Sequence, residues 1–350
     1  MPLTDADRRR YSRHLLLPEL GDAGQEALKN ARVLVVGAGG LGCPVLQYLT
    51  AAGIGTLGVI DGDTVAESNL QRQILFGPAD VGYLKATVAV ARLSAQNPLI
   101  TLRAHTHWLT ADTVLDTLAD YDLVVDGSDN FATRYLVSDA CVVLGKPLVS
   151  GAIHRFEGQV TVLNLGDGPT YRCLYPDPGD LPGCAEAGVL GVLPGVVGCL
   201  MASEIIKLCT GIGTVLSGQL LVVDALTLQF RQFGFEADPA NKNRSQLPDP
   251  LPGCEPTLAE LTYATLQYRL KTEPDLLLVD VREPAERIVA SLGGQSIPLA
   301  RLLADPGLVP TDRPVVVYCQ SGQRSRKAVA FLLARGYERV ASLRGGMQGH

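Results

Sequence analysis

The chain has 350 residues, 47% of them hydrophobic, and a formal net charge of −6. That length leaves room for two domains with real cores, and the acidic balance gives no reason to expect nucleic acid or an anionic membrane as a partner. Eight cysteines stand singly with no CxxC pair, which, without an export signal, reads as reduced thiols in a cytoplasmic protein.

Residues 3–30 read as charged helices, and most arginines between 8 and 13 suit a solvated face. The apolar run after them is far too short for a signal peptide. Residues 33–36 (VLVV) suit one buried parallel strand. It empties into Gly37-Ala38-Gly39-Gly40-Leu41-Gly42, and an apolar helical segment follows at 43–52. Strand, glycine turn and helix bring backbone N–H groups close to an anion. The plainer alternative is a turn that only packs helix on strand. A second strand, 57–60, ends in Asp61, where an acid would meet ribose hydroxyls. So far NAD, FAD and ATP fit equally. The polar loop 68–73 then adds Asn69 and Arg72, and Lys85 follows. Hydride transfer needs no such cations. Separating pyrophosphate from an ATP α-phosphate does, because negative charge builds on the departing oxygens.

Strands at 33–36, 57–60, 101–104, 122–126 and 147–150 alternate with helices near 43–52, 83–95, 112–119 and 131–144. That order predicts an open, mostly parallel sheet covered by helices, with ligands at the carboxyl ends of its strands. Gly37, Asp61 and Asp129 all follow strand ends, so one cleft can hold them. In DGSDN, Asp126 and Asn130 suit turn and cap roles. Asp129 is either a cap as well or an oxygen ligand for Mg²⁺. Residues 151–160 turn into a strand that opens a more antiparallel part of the sheet. His154, Arg155 and Glu157 there are either structural or part of a substrate channel. Cys184 lies in a Gly/Pro-bounded loop and is a candidate nucleophile, whereas Cys43, Cys141, Cys199 and Cys209 sit in apolar runs and read as core. The longest apolar run, 187–203, is broken by Pro194 and reads as a core helix or loop rather than a bilayer span. A helix at 195–210 and strands at 220–224 and 229–235 close the first domain (1–235). Residues 236–256 are a Pro/Asn/Asp-rich linker that carries Cys254.

The second domain (257–350) begins with a helix at 258–270 and a strand at 276–280. Strand 315–318 then delivers Cys319 into CQSGQRS, followed by a helix at 326–335. Backbone N–H groups around the sulfur, and Arg324 five residues on, would both favour a thiolate. Such a thiolate can take up a sulfane sulfur as a persulfide or attack a phosphate ester. The short loop favours sulfur.

GAGGLG, DGDTVAESNLQRQ, Lys85 within VGYLKA and Asp129 within DGSDNFATR resemble the adenylating family of ubiquitin-activating type, the ThiF/MoeB-type adenylyltransferases, from about residue 8 to residue 235. DVREPAER, YCQSGQRS and LRGGM resemble a rhodanese domain, with a degenerate His-Ile-Pro-Gly element at 290–295 and an ending that suggests a shortened module. The resemblances imply a Rossmann-like, doubly wound adenylation domain joined to a smaller α/β sulfurtransferase. They imply ATP, with Gly37, Gly39, Gly40 and Gly42 at the phosphates and Asp61 at the ribose. Asn69, Arg72 and Lys85 join them, and Asp129 positions Mg²⁺. Arg13 matches an arginine that reaches the ATP of a neighbouring subunit, which implies a homodimer. Many relatives hold structural zinc with two CxxC pairs; here Thr170 replaces the first cysteine, only Cys173 remains, and no zinc is expected. The implied partner is a ubiquitin-like (β-grasp) sulfur carrier ending in Gly-Gly, with a sulfur donor such as a cysteine desulfurase upstream. Molybdopterin, thiamine and tRNA thiolation remain open as pathways. The rival readings are a non-catalytic carrier-binding scaffold and an NAD-dependent dehydrogenase.

Overall fold

The computed structural model describes residues 1–176, 188–242, 244–247, 260–333, 335–337 and 339–348. The chain forms two compact units, Met1–Cys254 and Glu255–His350. Cys184 and Cys254 lie outside the described residues.

The first unit opens with α1 (Asp5–Arg10), α2 (Ser12–Leu15) and α3 (Gly21–Asn30). A βαβ series follows: β1 (Arg32–Val36), α4 (Gly42–Ala52), β2 (Thr56–Ile60), α5 (Lys85–Gln96), β3 (Thr101–His105), α6 (Ala111–Ala119), β4 (Leu123–Asp126), α7 (Phe131–Leu144) and β5 (Leu148–His154). Then come β6 (Glu157–Leu163), α8 (Tyr171–Leu174), α9 (Leu193–Thr210), β7 (Gln219–Asp224) and β8 (Gln229–Gly234). The strands form one sheet in the order β3-β2-β1-β4-β5-β6-β7-β8, parallel as far as β5 and antiparallel beyond it. From β1 the chain moves outward to β2 and β3, then returns to β4 on the other side. The carboxyl ends of β1 and β4 therefore flank a topological switch point, where such sheets open a crevice.

Burial explains why these segments became central strands. Val33, Leu34 and Val35 are wholly buried, as are Val124 and Val125, and each such side chain contributes about 1.5–3 kcal/mol when taken from water. Gly58 in β2 leaves room for Tyr121, whose hydroxyl oxygen would lie 2.2 Å from an added Cβ. The α9 helix is long and apolar enough to cross a bilayer, but it packs on α4, β5 and β6. Its Glu204 is buried, paired with Lys207, and accepts from Leu216 N at 2.9 Å. Its two cysteines depart from expectation. Cys199 and Cys209 are half-buried rather than fully buried; Cys209 packs against the edge of the core, where burial pushes its thiol up to about 12. A run this apolar gives little helical phase, so its half-exposed face was invisible in the sequence.

The second unit comprises β9 (Glu260–Leu261), α10 (Tyr263–Thr272), β10 (Leu277–Asp280), α11 (Pro284–Val289), β11 (Gln295–Ser296), α12 (Leu299–Ala304), β12 (Val315–Tyr318), α13 (Gln323–Leu333) and β13 (Val340–Leu343). Its sheet is parallel, in the order β11-β10-β12-β13-β9. The expected helix at 258–270 starts later, at Tyr263, because Glu260 and Leu261 pair with β13 as an edge strand. Two-residue strands such as β9 and β11 carry no period-2 signal and exist only through their partners.

Candidate active site

A cleft of about 450 Å³ opens at the switch point, lined by the glycine turn, Asp61, Arg72, Lys85 and Asp129. Gly37 has φ +89°, and an added Cβ would sit 3.1 Å from the Gly127 carbonyl oxygen. This draws the loops after β1 and β4 together. Gly42 does not line the cleft; a Cβ there would lie 1.9 Å from the Gly37 oxygen, so it lets α4 close on the turn. Gly39 and Gly40 do line it. Space over Gly39 is open, with Gln73 Nε2 the nearest atom to an added Cβ at 3.8 Å. The N–H groups of Gly39 and Gly40 have no acceptor among the described residues.

Asp61 is half-buried and ties the turn down. Its Oδ2 accepts from Ala38 N and its Oδ1 from Asp63 N, both at 2.8 Å. Burial pushes its carboxyl up, with Lys85 opposing the shift. Lys85 is 5% exposed and stands in the first turn of α5. A buried cation at the positive end of a helix dipole is unfavourable. Asp63, at 3.2 Å from its Nζ, offsets part of this, and a bound anion would offset the rest. Arg72 donates to the Ser68 carbonyl at 3.1 Å. Asn69 stays outside the cleft, its Oδ1 accepting from Ala66 N at 3.1 Å.

The DGSDN loop divides its labour. Asn130 caps α7, accepting from Thr133 N at 2.9 Å, and Asp126 accepts from Ser128 N at 2.9 Å. Asp129 is exposed and makes no hydrogen bond or ion pair among the described residues. Behind it, Asp126 Oδ2 and Ser128 Oγ are buried with no hydrogen-bond partner among the described residues, and burial pushes the Asp126 carboxyl up. Unmet oxygen donors beside a free carboxylate suit a hard divalent cation and its waters. Buried Arg134 also reaches the cleft and donates to the Ser128 carbonyl at 3.1 Å. It stands in the quoted DGSDNFATR block, but an arginine in a helix reads as surface until the fold buries it. His154 lines the cleft, while the Arg155 carbonyl accepts from Leu190 N at 3.3 Å. Gly188 and Val189 reach the cleft too. Arg13 is exposed on α2 and lines no part of it.

Cys173, the remaining cysteine of the zinc pattern, accepts from Asp238 N at 3.3 Å and Thr170 N at 3.4 Å. Burial pushes its thiol up, but these donors and Asn241 bring it to a net lowering. Among the described residues no group of three or more His, Cys, Asp or Glu gathers as a metal site.

In the second unit Cys319 is fully buried at the end of β12, its Sγ accepting from Gly322 N at 3.2 Å and Ser325 N at 3.4 Å. Arg324 lies near enough to Cys319 to interact with it electrostatically, but its guanidinium is also clamped by Glu286 at 2.7 and 2.6 Å, so its charge is shared and the direct hydrogen bonds to the sulfur come from backbone amides. Arg282, in the quoted DVREPAER block, is 1% exposed. It pairs with Asp280 at 3.0 and 2.8 Å and donates to Gln320 Oε1 at 3.2 Å, which braces the cysteine loop.

The fold and the two sites define a nucleotide-binding α/β enzyme joined to a cysteine-loop sulfurtransferase module. The ThiF family model matches residues 11–245 and a rhodanese-like domain matches residues 263–350. The chain belongs to the ThiF family and carries a rhodanese-like domain. It is 46% identical to the probable adenylyltransferase/sulfurtransferase MoeZ of Mycobacterium tuberculosis, over 97% of this chain and 91% of that one. It is 53% identical to the sulfur carrier protein adenylyltransferase of Thermus thermophilus, over 75% of this chain and 96% of that one. Adenylyltransferase and sulfurtransferase MOCS3 of Drosophila grimshawi is 40% identical over 99% and 84%. Among solved structures, E. coli MccB superposes with a TM-score of 0.60 at 23% identity, covering 67% of this chain and 73% of that one, which shows the fold shared.

Proposed function

We propose that the first unit adenylates the C-terminal Gly-Gly carboxylate of a ubiquitin-like sulfur-carrier protein, and that the second unit supplies the sulfur that turns it into a thiocarboxylate. The observation that carries this reading is the gathering of Arg72, Lys85 and the unpaired Asp129 around one glycine-lined cleft. A dinucleotide site for hydride transfer would have no use for that charge pattern. A carboxylate oxygen of the carrier attacks the ATP α-phosphorus, and pyrophosphate leaves. Lys85 and Arg72 offset charge on the departing oxygens, the Gly39 and Gly40 N–H groups bind phosphate oxygens, and Asp61 keeps lone pairs for the ribose. Mg²⁺ held near Asp129 would neutralise the triphosphate.

Cys319 then carries the sulfur as a persulfide, loaded by a donor such as a cysteine desulfurase. The terminal sulfur attacks the acyl carbon and AMP leaves, joining carrier and Cys319 through an S–S bond; a second thiol, Cys184 or an external one, then attacks the Cys319 sulfur, which releases the thiocarboxylate and leaves a disulfide that an external thiol reduces. Cys184 stands four residues before the cleft-lining Gly188. Exposed Arg13 suits a homodimer in which it serves the partner's nucleotide. ATP–pyrophosphate exchange with carriers ending in Gly-Gly tests the reading. Carrier-dependent exchange that Asp129→Ala abolishes is the expected result; carrier binding without exchange would leave a scaffold instead.

A further inference from the structure

We infer that Trp108, the chain's one tryptophan, is the platform on which the nucleobase stacks; this rests on the nucleotide reading of the cleft. Trp108 lines the cleft three residues beyond the end of β3, yet 55% of its surface is exposed. An added Cβ on Gly62 would lie 2.8 Å from three separate indole atoms, Cδ2, Cε2 and Nε1. Near-equal distances to three ring atoms mean that the indole lies face-on over Gly62. One face rests on the backbone and the other is left to the cleft, a large uncovered apolar area that a planar ligand would bury. The support is firm. Asp61 N donates to the His105 carbonyl at 3.1 Å, and the His105 ring and Tyr121 hydroxyl are 2.8 Å apart.

The sheet order sets the register. Across β3-β2-β1-β4, the strand ends carry Trp108, Asp61, the glycine turn and Asp129 in that sequence. At about 4.8 Å between strands, this row spans roughly 15 Å, near the length of an extended nucleoside triphosphate. Base, ribose, phosphates and metal thus fall in their covalent order. Stacking on an indole tolerates any base, so the platform supplies affinity for the base rather than a choice between adenine and guanine.

The lone tryptophan makes the test direct. Intrinsic fluorescence of the full chain is titrated with MgATP, MgGTP and Mg-tripolyphosphate, with calorimetry as an optical-independent measure of binding. ATP and GTP are expected to quench as they bind, and tripolyphosphate to bind without quenching. Trp108→Ala is expected to raise KM for ATP about tenfold in the exchange assay, with kcat held, and Trp108→Phe to restore most of the loss. Gly62→Ala, which keeps the indole but lifts it from its seat, is expected to raise KM in the same direction. Unchanged ATP affinity in Trp108→Ala, or equal quenching by tripolyphosphate, would overturn the platform alone. No calorimetric ATP binding by the wild type would overturn the nucleotide reading and the platform with it.

Discussion

In the first unit a glycine turn links β1 to α4; in the second a cysteine loop links β12 to α13. Both follow a buried parallel strand that has parallel neighbours on either side. Both present backbone N–H groups near a helix start, where the helix itself cannot satisfy them. They part in what those groups meet. Gly322 and Ser325 spend theirs on the chain's own sulfur, whereas Gly39 and Gly40 keep theirs open to a cleft. The charges follow the same division. Arg324 and Arg282 are matched by Glu286 and Asp280, while Asp129 is left unmatched. One supersecondary unit thus serves as a receptor for an outside group or as a cradle for a built-in sulfur, according to whether a residue of the loop supplies the acceptor.

The comparison breaks most sharply at Cys319. Cys319→Ala is expected to abolish sulfur transfer from thiosulfate to cyanide and leave carrier-dependent pyrophosphate exchange intact, since the exchange needs only the receptor loop. Asp129→Ala is expected to do the reverse, lowering exchange about 10²–10³-fold. The thermal midpoint should hold, because Asp129 bonds to nothing that folding needs. Arg282→Met leaves Asp280 buried and uncompensated, and should destabilise the second unit by about 3–5 kcal/mol in denaturant titration, with exchange unchanged. A smaller effect concerns pH. Arg324 holds the Glu286 carboxyl at about 2, below its ordinary 4.5. A lowered carboxylate pKa gives stability that is fully present above the ordinary value and is lost as pH falls through the lowered one. Sulfurtransferase activity should therefore show no inflection from this pair between about pH 5 and 8, and an inflection that Glu286→Gln removes would contradict the pairing. Smallest of all, Cys173→Ser should shift stability by less than about 0.5 kcal/mol, and added zinc should leave the melting temperature of either form unchanged.

Much of this was legible before any coordinates. The central strands β1, β2 and β4 announce themselves as short β-branched runs that empty into Gly37, Asp61 and Gly127, and the candidate site residues Gly37, Asp61 and Asp129 follow from those strand ends. What the pattern missed has a physical cause in each case. Trp108 sits past the edge strand β3, whose mixed exposure blurs its period, and only its seat over Gly62 reveals a role. Arg134 and Arg282 look like surface arginines because residue type alone gives no sign of their burial: Ser128 and Asp280 bind them from six and two residues away, while Gln320 reaches Arg282 from 38 residues away. Glu286 lies 38 residues from Arg324, so no local spacing could show that the loop's cation is already taken.

Local chemistry therefore settles the kind of element and the kind of residue: buried runs make strands, glycines make close turns, and a cysteine after a strand meets amide N–H groups. These follow from sterics and solvation acting over a few residues, and the chain carries them in its order. Which groups stay unpaired was decided by tertiary structure alone. Asn69 and Asp129 are both polar loop residues, and the fold spends one on a local turn and leaves the other free in the cleft. Asn69 is spent within three residues, but that no described residue pairs with Asp129, and that Glu286 reaches Arg324 from 38 residues away, depends on distances between segments far apart in the chain, which are fixed only when the sheet order brings the strand ends into line.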